Sequence, residues 1–77
     1  MTDTLTLFTR PDCGLCELAA KMMEPLNITV HSVDITGQLD LLEAYGQRIP
    51  VLKFGRQELG WPFETSDIER LLGLHAE

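Results

Sequence analysis

"TLTLFTRPDCGLCELAAKMM", residues 4–23, is the stretch that decides the fold. It holds both cysteines of the chain, Cys13 and Cys16, where one periodicity gives way to another. Residues 4–9 mix threonine with leucine and phenylalanine, which suit a pleated strand, and Arg10, Pro11 and Asp12 stop the run. From Gly14 to Glu24 the pattern is helical: Leu15, Leu18, Ala19, Met22, Met23 and Leu26 form one apolar stripe. Pro25 limits its extension. The cysteine pair therefore falls where a strand hands over to a helix.

Outward from this junction, residues 27–35 (NITVHSVDI) return to strand chemistry, with Ile28 and Val30 alternating against Thr29 and His31 until Thr36 and Gly37 break the run. Residues 38–45 predict a short helix with Leu39, Leu42 and Tyr45 on one side, closed by Gly46. Residues 49–54 and 57–59 predict a hairpin around Gly55-Arg56, where glycine at the first central position suits a type II′ turn. Ser66 and Glu69 have the spacing of a capping box for a last helix, with Ile68, Leu71 and Leu72 inside and Gly73 at its end. The order is β-α-β-α-β-β-α. A β-α-β start implies a parallel pair with a right-handed crossover, and the closing hairpin adds antiparallel strands. The expected fold is α/β, a four-stranded mixed sheet flanked by helices in three layers, one domain over residues 1–77.

Composition narrows the partners. The chain has 77 residues, 44% of them hydrophobic, which is enough for one small core. Twelve acidic residues against six basic ones give a net charge of −6, which argues against nucleic acid or an anionic membrane as partner. No apolar run approaches the roughly 20 residues of a membrane span. The N-terminus lacks the basic start and cleavage site of a signal peptide, so the expected location is the cytosol. Thiols are mostly reduced there, and a lone cysteine pair points to redox or metal chemistry before a structural staple.

Residues three apart on a helix share a face, with Cα atoms about 5 Å apart, within reach of a disulfide. Cys13 falls at the helix start, where unpaired N–H groups and the positive end of the dipole favour a thiolate. Cys16, one turn further in, is placed to attack from behind. Arg10 adds positive potential, while Asp12 and Glu17 oppose it. Zinc sites use the same spacing, but they need about four ligands and the chain has no second cysteine pair. His31 and His75 lack ligand spacing and read as surface residues, and Met22 and Met23 as packing residues. Two inert buried cysteines are the other alternative. The strand-to-helix placement favours redox.

With the cysteine pair, the element order and Ile49-Pro50 in view, the chain resembles the thioredoxin fold in its short, glutaredoxin-like form. "VDI" at 33–35, "LLEAYGQRIPVL" at 41–52 and "ELGWPF" at 58–63 are similar to a small, largely bacterial glutaredoxin-like family once catalogued as a domain of unknown function. The resemblance spans nearly the whole chain. It implies that Pro50 is the cis-proline facing the cysteines and that the backbone of Ile49 pairs with an extended thiol substrate. It also implies that Arg10 and Arg48 are candidates to hold a glutathione carboxylate. Departures are visible too. Thr-Val-Pro reads Arg48-Ile49-Pro50, the Gly-Gly pair reads Gly60-Trp61, and the spacer Gly14-Leu15 replaces Pro-Tyr. Glu64, Thr65 and Ser66 are loose counterparts of the group that follows Gly-Gly. Trp61 either walls the thiol groove or packs as a plug under the last helix, and packing is the commoner fate of such a residue.

The expected function is thiol–disulfide oxidoreduction, with Cys13 as nucleophile and Cys16 as resolving thiol. Arg10, Arg48, Ile49, Pro50, Gly60 and Trp61 are the candidate substrate contacts. The expected substrates are protein or low-molecular-weight disulfides. No cofactor is required, and glutathione is a candidate co-substrate. The rivals are an iron–sulfur or metal carrier using Cys13, and a thioredoxin-fold adaptor without turnover.

Overall fold

In the computed structural model, which describes residues 5–73, strand β1 (Leu5–Thr9) lies inside a four-stranded sheet. Thr4, the predicted first strand residue, and His75 fall outside the described residues. The remaining strands are β2 (Val30–Asp34), β3 (Val51–Phe54) and β4 (Gln57–Gly60), and the sheet order is β2-β1-β3-β4. Strand β1 runs parallel to β2, from Leu5 opposite Val30 to Thr9 opposite Asp34, and antiparallel to β3, with Leu7 opposite Leu52 and Phe8 opposite Val51. β3 and β4 form the expected hairpin with Phe54 opposite Gln57, and Gly55 takes φ +64° at the first loop position.

Because side chains alternate along a strand, β1 feeds two cores. Leu5 and Leu7, with Leu52, meet Ala19 and Met23 of helix α1 (Gly14–Met23) and Ile68 of helix α3 (Thr65–Leu72), together with Phe63. On the other face Phe8 and Val51 meet Ile35 and Tyr45, the last residue of helix α2 (Leu39–Tyr45). The sheet is covered on both sides, and the α/β fold with a mixed four-stranded sheet and three helices is the one read from the sequence.

Several local expectations are corrected. The second strand is shorter than residues 27–35. Helix α1 ends at Met23, Pro25 sits in a 3₁₀ turn at Glu24–Leu26, and Asn27 adopts a left-handed conformation (φ 55°) that an asparagine tolerates. At the far end the Asp34 carboxylate accepts the Thr36 N–H (2.9 Å) and hydroxyl (2.6 Å). These bonds turn the chain at Ile35–Gly37, bury Ile35 and hold the Asp34 pKa below its ordinary value. In α1 the buried face is Cys16, Ala19 and Met23, while Leu15 and Leu18 are 46% and 52% exposed, so the expected stripe is split. In α2 the inward residues are Leu41 and Tyr45, and Leu39 is 73% exposed. Gly46 continues helical dihedrals instead of a left-handed cap. Helix α3 starts two residues before the Ser66 reading: Glu64 is the N-cap and its N–H donates to Asp67 Oδ2 at 2.9 Å. Gly73, φ +73°, ends it as expected.

The inward face of α2 is set by Tyr45. Its ring stacks on Phe8 at 4.2 Å, and its hydroxyl donates to Glu58 Oε2 at 2.7 Å. Arg48 Nη2 pairs with Glu58 Oε1 at 3.2 Å while its guanidinium lies 5.1 Å from the Tyr45 ring centre. The bond to Tyr45, then the one to Arg48, holds the Glu58 carboxyl below its ordinary pKa of 4.5, and Glu58 in turn raises the Tyr45 phenol above 10.0. The Glu58 contribution to stability is present above 4.5 and fades as pH falls through the lower folded value. The Tyr45 contribution is present below 10.0 and is lost as pH rises through the higher folded value.

Ile68→Ala, at a fully buried position, should lower the urea unfolding free energy by about 2–5 kcal/mol, and Leu39→Ala by less than about 0.5 kcal/mol. Since Tyr45 is the chain's one tyrosine, phenolate absorbance should titrate above pH 10.0 and move down in Glu58→Gln.

Candidate active site

The junction between β1 and α1 is built by a short turn. Arg10 is exposed, Pro11 cannot donate to the ladder, and Asp12 adopts φ +60°, a left-handed geometry that aspartate accepts more readily than most residues. The turn delivers Cys13 in an extended conformation (φ −106°, ψ 103°) as the N-cap of α1. Its carbonyl accepts the Glu17 N–H at 3.1 Å, and its Sγ accepts the Cys16 N–H at 3.1 Å. The sulfur thus takes the place of the hydroxyl or carboxylate oxygen that usually caps a helix.

Cys13 and Cys16 form a disulfide, with Cα atoms 5.2 Å apart. Cys13 is half-buried, whereas Cys16 is 4% exposed. The pair is asymmetric in the sense the sequence implied, with one sulfur toward solvent at the helix start and the other behind it.

The other expected contacts converge on the same end of the sheet to different degrees. Thr9 and Pro50 lie one step beyond the Phe8–Val51 pair, and Gly60 stands opposite Val51. Pro50 is fully buried, the Ile49–Pro50 bond is cis, and the Pro50 carbonyl accepts the Trp61 N–H at 3.2 Å. Ile49 packs toward the Phe8–Tyr45 core, and its N–H donates to the Tyr45 carbonyl at 3.1 Å. Trp61 is half-buried, edge-on to Phe63 at 5.1 Å, and packs against the α1–α3 core. Arg48 is engaged with Glu58 and also donates Nε–H to the Ala44 carbonyl at 3.2 Å. Arg10 lines a groove of about 240 Å³ that also touches Cys13, Cys16, Glu17 and Ser32.

Sequence reasoning passed over Ser32 and Ala20, which also line this groove. The strand period puts Ser32 on the same face as Val30, and the pairing of Leu7 with Ser32 brings that face beside α1. The cis bond at Trp61–Pro62 was equally unforeseen. A larger groove of about 410 Å³ lies between β4 and α3 and touches neither cysteine. Among the described residues no three His, Cys, Asp or Glu side chains gather as a metal ion would need, and no helix is long and apolar enough to cross a membrane.

Comparison with known proteins gives a consistent picture. The sequence matches the family described as Glutaredoxin-like domain (DUF836) over residues 4–73. The X-ray structure of protein XcR50 from X. campestris is 35% identical, with a TM-score of 0.83, covering 95% of this chain and 100% of that one. Its solution structure is 34% identical, with a TM-score of 0.81, and covers 100% and 99%. Protein Ne2328 from Nitrosomonas europaea shares the fold at 24% identity and a TM-score of 0.79, covering 94% and 93%. No curated protein matches the chain. A family match over nearly the whole sequence, on a fold that agrees with it, means that this chain belongs to the glutaredoxin-like domain family.

Proposed function

We propose that the protein is a thiol–disulfide oxidoreductase of glutaredoxin-like type. The observation that carries this reading is the Cys13 sulfur at the head of α1, accepting the Cys16 N–H at 3.1 Å with Cys16 buried behind it. A hydrogen bond to sulfur and the dipole of a ten-residue helix both favour the thiolate over the thiol. The thiolate is the attacking species in exchange.

In the reduced protein the Cys13 thiolate attacks one sulfur of a substrate disulfide. The substrate S–S bond breaks, a Cys13–substrate disulfide forms, and the other substrate sulfur leaves as a thiolate that takes a proton from solvent. Cys16 then loses its proton and attacks the Cys13 sulfur, expelling the second substrate thiol and closing the Cys13–Cys16 disulfide. Two electrons have passed from protein to substrate. An external thiol, with glutathione as the candidate, returns them by the reverse exchange.

Around this centre, Arg10 sits in the cysteine groove and supplies a cation for a substrate carboxylate. Arg48 already pairs with Glu58, so its role is to fasten the loop before Pro50. The Ile49 N–H is engaged with Tyr45, which leaves its carbonyl as the group a passing substrate backbone would use. Gly60 and Trp61 border the same end of the sheet. Substrates are protein or small disulfides in a reducing compartment such as the cytosol.

The reading is tested by equilibrating the protein in thiol redox buffers and trapping it for mass spectrometry. A reversible Cys13–Cys16 disulfide within the range of cytosolic potentials is expected, and its absence would exclude the proposal. Cys13→Ser should abolish disulfide reduction, whereas Cys16→Ser should accumulate a Cys13 mixed disulfide. Full activity in Cys13→Ser, or a bound coloured iron cluster in place of exchange, would point to another function.

A further inference from the structure

The groove at the cysteines does not end there. A second hollow of about 290 Å³ adjoins it, and the two share Leu7, Ala20 and Ser32 as lining. Together they trace one trough between α1 and β2. Its α1 wall is the stripe Cys13, Cys16, Glu17, Ala20, Met23 and Glu24, which follows helical spacing. Buried Leu7 forms the floor, and Ile28 and Val30 close the far end.

Three observations describe what would lie in it. The trough follows α1 from Cys13 to Met23, about 15 Å at 1.5 Å per residue, which an extended chain of four or five residues would span. Its outer wall, β2, is a terminal strand of the sheet, so alternate backbone groups along one side have no strand partner among the described residues. Its rim carries the carboxylates of Asp12, Glu17 and Glu24 against the single cation Arg10. An apolar floor suits alternate apolar side chains. An acidic rim suits basic residues beside them and disfavours a carboxylate-bearing tail.

We infer that the trough between α1 and β2 docks an extended, apolar, basic-flanked polypeptide segment adjoining the cysteine of a protein disulfide substrate. This rests on the oxidoreductase reading and adds a substrate class to it. Cys13 follows the inner strand β1, with Pro50 at the head of β3 on one flank and β2 on the other. The trough is therefore separate from the Ile49–Pro50 side, and a substrate whose cysteine backbone passes Ile49 sends the chain preceding that cysteine along β2.

The test uses two substrates. One is a peptide disulfide with the sequence Lys-Val-Leu-Val-Cys mixed with 2-mercaptoethanol; the other is bis(2-hydroxyethyl) disulfide. The second measures exchange alone, and failure to reduce either would overturn the underlying function and this inference with it. The wild type should prefer the peptide, and Ala20→Arg, which fills the exposed middle of the trough with a bulky cation, should lower the peptide-to-small-disulfide rate ratio by about tenfold, the effect of losing one well-placed apolar contact. Leu39→Arg, on the opposite face of the sheet, should not change the ratio. An unchanged ratio in Ala20→Arg would overturn the inference. In Cys16→Ser loaded with the peptide at Cys13, amide shifts should appear at Ala20, Val30 and Ser32. Shifts confined to Ile49, Gly60 and Trp61 would place the peptide on the other flank and overturn the inference as well.

Discussion

One hydrogen bond organises the site: the Cys16 N–H donates to the Cys13 sulfur, making a cysteine the cap of its own helix. The bond exists only because three separate constraints agree. Pro11 ends the strand, Asp12 turns the chain through a left-handed residue, and Ala19 and Met23 seat the helix on Leu7 and Leu52. Loosen the packing of α1 and the turn no longer aims the sulfur at the helix start. The chemistry of the pair is thus a consequence of core packing one to three turns away.

The second face of the sheet serves the other flank. Phe8 stacks on Tyr45, the Tyr45 hydroxyl bonds to Glu58, and the Tyr45 carbonyl accepts the N–H groups of both Arg48 and Ile49. One residue therefore ties α2, the loop before Pro50 and strand β4 together. The Tyr45–Glu58 bond is part-buried, and directional bonds of this kind are satisfied in one arrangement, which fixes the loop more narrowly than apolar packing alone would. The two sides of the site are consequently held by two different cores, one apolar and one with a charged clasp.

Much of this was legible in the chain itself. The element order came from periodicity and turn chemistry, which are local properties, and the cysteines were placed correctly because a strand pattern and a helix pattern meet at Cys13. The faces of the helices were harder to read. α1 and α2 carry more leucine than their inner faces hold, so Leu15, Leu18 and Leu39 fit a stripe on paper yet face outward. What chooses between them is long-range: a tyrosine stacked on a phenylalanine of another element and bonded to a glutamate of a third. Likewise Glu64 and Asp67 displace Ser66 and Glu69 as cap because Phe63, buried in the core, fixes where the helix begins. Pro50, Gly60 and Trp61 were associated with the cysteines only through a family resemblance, since strand register brings them to that end of the sheet.

The account depends on the reduced Cys13 sulfur being stabilised as an anion by the start of α1, against the nearby carboxylates of Asp12 and Glu17. The most direct measurement is the pH dependence of iodoacetamide alkylation at Cys13 in the reduced protein, followed site by site in peptide digests. The account predicts a midpoint below the value of about 8.5 for an ordinary thiol, with Cys16 reacting far more slowly. A Cys13 midpoint at or above that value, or equal reaction of the two sulfurs, would contradict it.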